Sequence, residues 1–149
     1  MEKKRILALD LGARRIGVAV SDLLGITAQG LDTIHRQNGR TDLETLQKIV
    51  KDYEVGMILV GQPLHMSGLV GRQAQHAEVF ADQLRRRLGL EVRLWDERLT
   101  TAEAQRVLKS SGVSIEKRKQ AIDRMAAVIL LQSYMDRHID GQSDSGDNA

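Results

Sequence analysis

The chain has 149 residues, no cysteine, 42% hydrophobic and 28% charged residues, which is the size of one ordinary domain. The absence of cysteine removes disulfide scaffolds, thiolate zinc sites and cysteine nucleophiles together, and it fits a reducing compartment. Lysine plus arginine number 22 against 20 acids, a net charge of +2, and aromatics are only 3%, which argues against modules that bind single strands by stacking bases on aromatic rings.

In chain order, residues 5–11 (Arg-Ile-Leu-Ala-Leu-Asp-Leu) read as a buried strand. Alternation puts Ile6, Ala8 and Asp10 on one face and Leu7, Leu9 and Leu11 on the other. Gly12-Ala13-Arg14-Arg15 is a turn, and Ile16 to Val20 returns as the second strand of a hairpin. A weaker third strand covers Ile26 to Ile34, and Arg36 to Arg40 is a loop. Thr41 or Asp42 then caps a helix carrying Leu43, Leu46, Ile49, Val50 and Tyr53 at helical spacing.

Val55 to Val60 is a buried strand. Gly61 to Arg72 holds the single proline and three glycines, a loop of unusual length. Gln73 to Leu88 is a helix ended by Gly89. Val92 to Trp95 is a strand running into Asp96-Glu97. Thr100 or Thr101 starts a helix to Lys109, Ser110 to Ser114 is a break, and Ile115 or Glu116 to Ile139 is one long helix. Three strands, helix, strand, helix, strand and two helices predict an α/β fold: a mixed sheet with helices on both faces. The tail from Gly141 is polar and small. The basic start Lys3-Lys4-Arg5 leads into too short an apolar run for a secretory signal. No run approaches the ~18 residues of a membrane span. The expectation is a cytoplasmic protein without a membrane partner.

Three acids interrupt apolar segments. Asp10 sits inside the first strand, where a carboxylate is costly unless paired, hydrogen-bonded or bound to a metal. Its alternative role is to cap the Gly12 turn. Glu97 follows a buried strand, the end at which α/β sheets build sites, although a surface Glu–Arg pair is the other reading. Asp123 lies a turn before Ala126, Ala127 and Leu130 and shares their stripe; the alternative is an acid favoured by the helix dipole. Asp96 and Glu97 alternate in direction, so at most one faces Asp10. Oxygen ligands of this kind suit magnesium or manganese, and two such ions can act together on a phosphodiester. The glycines of the 61–71 loop could admit a phosphate to the backbone, or the loop is only a connection. His65 there reads as a plain loop residue. The clusters Arg85-Arg86-Arg87 and Lys117-Arg118-Lys119 are either polyanion contacts or solvated helix faces.

Leu9-Asp10-Leu11-Gly12, Arg15-Ile16-Gly17-Val18-Ala19, Ser21-Asp22, Gly61-x-Pro63, Met66-x-Gly68, Asp96-Glu97-Arg98-Leu99-Thr100-Thr101 and Asp123-x-x-Ala126-Ala127 occur in this order. Together they resemble the YqgF family, known as Holliday junction resolvase-like proteins or pre-ribosomal-RNA nucleases, over about Arg5 to Arg137. The resemblance implies an RNase H-like fold: a five-stranded mixed sheet flanked by helices, residues 1–140 as one nuclease domain and 141–149 as a disordered tail. It implies metal-dependent phosphodiester hydrolysis at Asp10, Glu97 and Asp123, with Mg2+ or Mn2+, two ions, as cofactor. The favoured substrate is the 5′ end of the small-subunit ribosomal RNA precursor. Arg14, Arg15, Arg98, Gly61 and Gly68 are the expected nucleic-acid contacts. Ser67 and Gln62 depart from the family's usual residues in the loop.

The alternatives are a resolvase cutting four-way DNA junctions as a homodimer, an actin-like or sugar-kinase-like ATPase, and a non-catalytic nucleic-acid-binding protein. One domain of this length is too short for the ATPase reading. A monomer suits RNA trimming, and a dimer suits junction cutting.

Overall fold

β1 (Arg5–Leu11), β2 (Arg15–Ser21) and β3 (Ala28–His35) form an antiparallel meander. β4 (Val55–Gln62) joins β1 in parallel, and β5 (Glu91–Asp96) joins β4 in parallel. The five-stranded order is β3-β2-β1-β4-β5, so β1 is central and the carboxyl ends of β1, β4 and β5 share one edge. The structure is a computed structural model that describes residues 4–62, 71–96 and 115–140, with backbone alone for 115–123 and for 139–140. The expected helix from Thr100 or Thr101, the break after it, most of the loop after Gln62, and the tail lie outside the described residues.

Three helices are described: α1 (Gly39–Asp52), α2 (Arg72–Leu88) and α3 (Ile115–Asp140). The alternation of β1 decides which helix packs where. Leu7 and Leu9 face α1 and α2, in a core with Ile16, Val18, Val20, Leu46, Ile58, Val60, Phe80 and Leu84. Ala8 faces α3, in a second core with Ala19, Leu59, Ala127, Leu130, Leu131, Tyr134 and Met135. No described helix is long and apolar enough to cross a membrane.

The mixed sheet with helices on both faces is as the element order predicts. The start of α1 differs. Its N-cap is Asn38, whose Oδ1 accepts from the Thr41 N–H at 2.9 Å. Asp42 is not the cap but reaches back, its buried carboxylate accepting from the Gln37 N–H at 3.1 Å. Asn38 takes the extended backbone a cap needs, which brings Gly39 and Arg40 into the first turn. The end of α2 is as expected: Gly89 is left-handed, with φ 66° and its N–H on the Arg85 carbonyl.

α3 runs across its face from the carboxyl edge of β1 toward the amino edge. Near the far end, the Gln132 side chain accepts from the Ala28 N–H at 3.2 Å. Nearer the start, Arg124 and Val128 lie over Gly30, where an added Cβ would come within 2.7 Å of Arg124 Cγ. Gly30 is in register with Ala19, and Ala19 with Ala8.

Candidate active site

Asp10 is placed by β1. It is half-buried, one residue from the carboxyl end of the central strand, and alternation puts it on the α3 face with Ala8. Its cross-strand partner on β2 is Gly17. The β1–β4 ladder ends at Leu9–Val60, so the next residue, Gly61, lies alongside Asp10 on β4. A carboxylate on the central strand therefore has glycine on both neighbouring strands, and neither adds a side chain beside it. Glycine inside a strand marks such close approaches. Gly17 was quoted in a motif but not singled out as a site residue. The signal that could have found it is a glycine amid Ile16, Val18 and Ala19.

The turn after Asp10 is closed by backbone: the Gly12 N–H donates to the Arg15 carbonyl at 2.8 Å. Gly12 is required there, because a Cβ would stand 2.7 Å from that carbonyl oxygen. The loop reading of Arg36 missed its role in this turn. Its N–H donates to the Arg14 carbonyl and its Nη1 to the Gly12 carbonyl, each at 2.8 Å. The guanidinium also lies 6.0 Å from the Phe80 ring centroid. Arg36 thus ties the hairpin turn to the end of β3. Arg14 is exposed on this turn and Arg15 is half-buried at the start of β2. Both flank the edge at which Asp10 sits.

Position 123 is on α3, one helical turn before Ala127 and in the stripe of Ala127 and Leu130. From the Ala8–Ala127 layer, two residues along β1 reach Asp10 and four along α3 reach position 123. Both steps are roughly 6–7 Å toward the same edge. Asp96 ends β5, opposite Gln62. Its alternation is that of Val92 and Leu94, which pack toward α1 and α2, so Asp96 is not on the Asp10 face. Glu97, Arg98 and Gly68 lie outside the described residues. Among the described residues no three metal-ligating side chains gather, and of the three expected acids only Asp10 has a described side chain. Its acidic oxygens and the glycine-flanked space suit a hard, hydrated cation better than a thiolate-seeking metal.

On the same face, Arg93 donates from Nη1 to Tyr134 Oη at 2.7 Å and from Nε to Glu91 Oε2 at 2.6 Å. Hydrogen bonding to Glu91 first, and then the neighbouring Tyr134, hold the Arg93 guanidinium above its ordinary value. Burial pushes the Tyr134 phenol up, so it stays neutral.

Residues 4–137 match the family model described as RuvX: Holliday junction resolvase. A pre-16S rRNA nuclease, by name, of Koribacter versatilis is 51% identical over 133 residues, covering 89% of this chain and 87% of that protein. The protein of the same name from Halalkalibacterium halodurans is 50% identical over 135 residues, covering 89% and 96%. Among solved structures, the chain is similar to Thermus thermophilus RuvC in complex with a Holliday junction substrate, with TM-score 0.54, 11% identity and coverage of 91% and 96%. It is also similar to the Fowlpox virus resolvase in complex with Holliday junction DNA, with TM-score 0.55, 12% identity and coverage of 89% and 97%. These likenesses show the fold, which is RNase H-like, as the motif resemblance implies.

Proposed function

The chain belongs to the RuvX (YqgF) family, and from that premise we propose that it is a nuclease trimming the 5′ end of the 16S ribosomal RNA precursor. The observation that carries the reading is Asp10: a carboxylate on the central strand, flanked by glycine on both sides, at the edge where position 123 of α3 also lies. We assign the catalytic and metal-holding roles to Asp10, Glu97 and Asp123. Asp96 belongs to the other face, which leaves Glu97 as the acid of that pair. Mg2+ or Mn2+, two ions, held by these carboxylates would activate water and offset charge on the scissile phosphate.

The remaining work falls to the chain's own residues. Arg14 and Arg15 flank the Asp10 edge and, with Arg98, would hold backbone phosphates, for which guanidinium geometry is suited. Arg36 keeps their turn in place through Gly12 and Arg14. Gly61 and Gly68 would let the strand approach the backbone. Residues 1–140 would serve as one nuclease domain acting as a monomer in the cytoplasm, with 141–149 as a disordered tail.

The family's description favours one second reading, a homodimer cutting four-way DNA junctions. Both are tested by incubating a labelled precursor RNA fragment and a labelled four-way junction with wild-type and Asp10→Asn protein, in manganese and in magnesium. RNA cut by the wild type alone supports the proposal. Paired symmetric cuts in the junction alone transfer the site to the resolvase reading. Equal cleavage by Asp10→Asn overturns the acidic-site assignment, and cleavage of neither substrate overturns the nuclease reading.

A further inference from the structure

The α3 face carries a second polar feature, on β5. Trp95 is the single tryptophan of the chain. Its ring meets Tyr134 edge-on at 5.1 Å, Tyr134 stacks on His138 at 3.9 Å, and Trp95 and His138 stand 5.7 Å apart. The rings are held from their edges. Tyr134 Oη accepts from Arg93 and donates to Met57 Sδ at 3.8 Å, while His138 Nδ1 is 2.8 Å from the Tyr134 carbonyl. Glu91, Arg93, Leu94, Trp95, Tyr134 and His138 line an open cleft of about 380 Å³. Trp95 and His138 are only half-buried, although β5 sends Val92 and Leu94 into the closed aliphatic core behind.

The register brings the Trp95 end of this cleft level with the proposed site, while Arg93 and Glu91 lie at the levels of Ala8 and Ile6. Trp95 pairs with Gly61, and Gly61 lies alongside Asp10. Along this level of the sheet the α3 face reads Gly17, Asp10, Gly61, Trp95. Trp95 is therefore two strand spacings from Asp10, roughly 10 Å, with a glycine between them. Among the described residues β5 is the edge strand of the sheet.

We propose that this cleft is a base-stacking subsite that takes the unpaired nucleobase of a nucleotide flanking the scissile phosphate in single-stranded RNA. The inference rests on the nuclease reading of the Asp10 site and names which part of the substrate strand that site engages. Its volume is within the range of small-ligand sites. The half-buried Trp95 and His138 rings suit a planar base, and Arg93, paired with Glu91, holds Tyr134 behind them. A duplex keeps its bases stacked on each other, so such a subsite selects unpaired segments. The few aromatics of the chain exclude a row of stacking platforms, and one cluster supplies one stacking step.

Because Trp95 is the single tryptophan, its emission reports on this cleft alone. The test uses Asp10→Asn protein, so that the strand stays whole, with a labelled short single-stranded RNA and a set in which each position in turn is abasic. Anisotropy gives the affinity and Trp95 emission gives the stacking. The expected result is quenching by intact RNA. Removing one base, at one position next to the cleavage point, should restore the emission and weaken binding roughly 5- to 100-fold. Trp95→Leu, which keeps an apolar side chain against Tyr134, and His138→Ala should both lose that position dependence while melting cooperatively. RNA that binds with Trp95 emission unchanged overturns the inference and leaves the nuclease reading standing. So does an abasic penalty that persists in both variants. RNA that does not bind overturns both. Asp10→Asn protein that still cleaves overturns the site assignment alone, and the stacking result then stands on its own readout.

Discussion

The two faces of the sheet are built from different residues. The face under α1 and α2 is packed with leucine, isoleucine, valine and Phe80, and two helices close it. The face under α3 has alanine at Ala8, Ala19, Ala126 and Ala127, glycine at Gly17, Gly30 and Gly61, and fewer large aliphatics, Leu59, Leu130 and Leu131, beside Tyr134, Met135 and Trp95. Large aliphatics bury more apolar surface per residue, so the first face carries most of the stabilisation. Small residues let the α3 backbone come close and leave room at the carboxyl edge, where Asp10 sits. The difference teaches that a carboxylate and its surroundings are tolerated on a central strand because the opposite face supplies the core.

The contrast breaks first at Asp10. Asp10→Asn should lower precursor cleavage about a thousandfold, since several kcal/mol of transition-state stabilisation at ~1.36 kcal/mol per decade is at stake. Thermal melting should show a cooperative transition, because Asn is isosteric with Asp and leaves both cores untouched. A variant that melts early and keeps activity would reverse the assignment of the two faces.

Leu46, fully buried on the other face, should behave oppositely. Leu46→Ala should cost about 2–5 kcal/mol in denaturant unfolding, with cleavage per folded molecule unchanged. Ala127→Leu sharpens the comparison. It overpacks the α3 contact, costs about 1–3 kcal/mol, and should also reduce cleavage, because it pushes α3 from β1 one turn below position 123. If Ala127→Leu left cleavage intact, α3 would serve packing only.

Asn38 belongs to α1 and to neither active edge. Asn38→Ala should cost ~1 kcal/mol with no change in cleavage. The smallest effect is at the β2–β3 turn. There the Ile26 N–H, and then Thr27, hold the Asp22 carboxyl below its ordinary value. A depressed carboxylate contributes stability above the unfolded-state pKa and loses it as pH falls through the folded-state pKa. Wild type should therefore exceed Asp22→Ala slightly at neutral pH, and the two should converge in acid. A constant difference across pH would assign the effect to packing.

Much of this was readable in the chain. Strict alternation in residues 5–11 sorted Leu7 and Leu9 from Ala8 and Asp10, and the two cores are divided along that line. Gly89 announced the end of α2, and the apolar recurrence of 126, 127 and 130 announced the buried stripe of α3. The cap of α1 was misplaced because Asn38, Thr41 and Asp42 all have the chemistry of a cap, and the local backbone decides among them. Arg36 escaped notice because its partners, Gly12 and Arg14, lie in the β1–β2 turn, more than twenty residues away in the chain, and nothing local marks a residue that bonds to a distant turn.

The sequence by itself determined the elements, the side each strand residue takes, and the three acids that interrupt apolar segments, since each follows from local periodicity and the cost of burying charge. Only the tertiary structure decided what stands beside them. It is strand register that gives Asp10 a glycine neighbour on each side and sets Trp95 two strands away. It is the path of α3 that brings position 123 to the same edge and assembles Trp95, Tyr134 and His138 into one cleft. Register and helix path are set by contacts between residues far apart in the chain, and no window of sequence contains both partners.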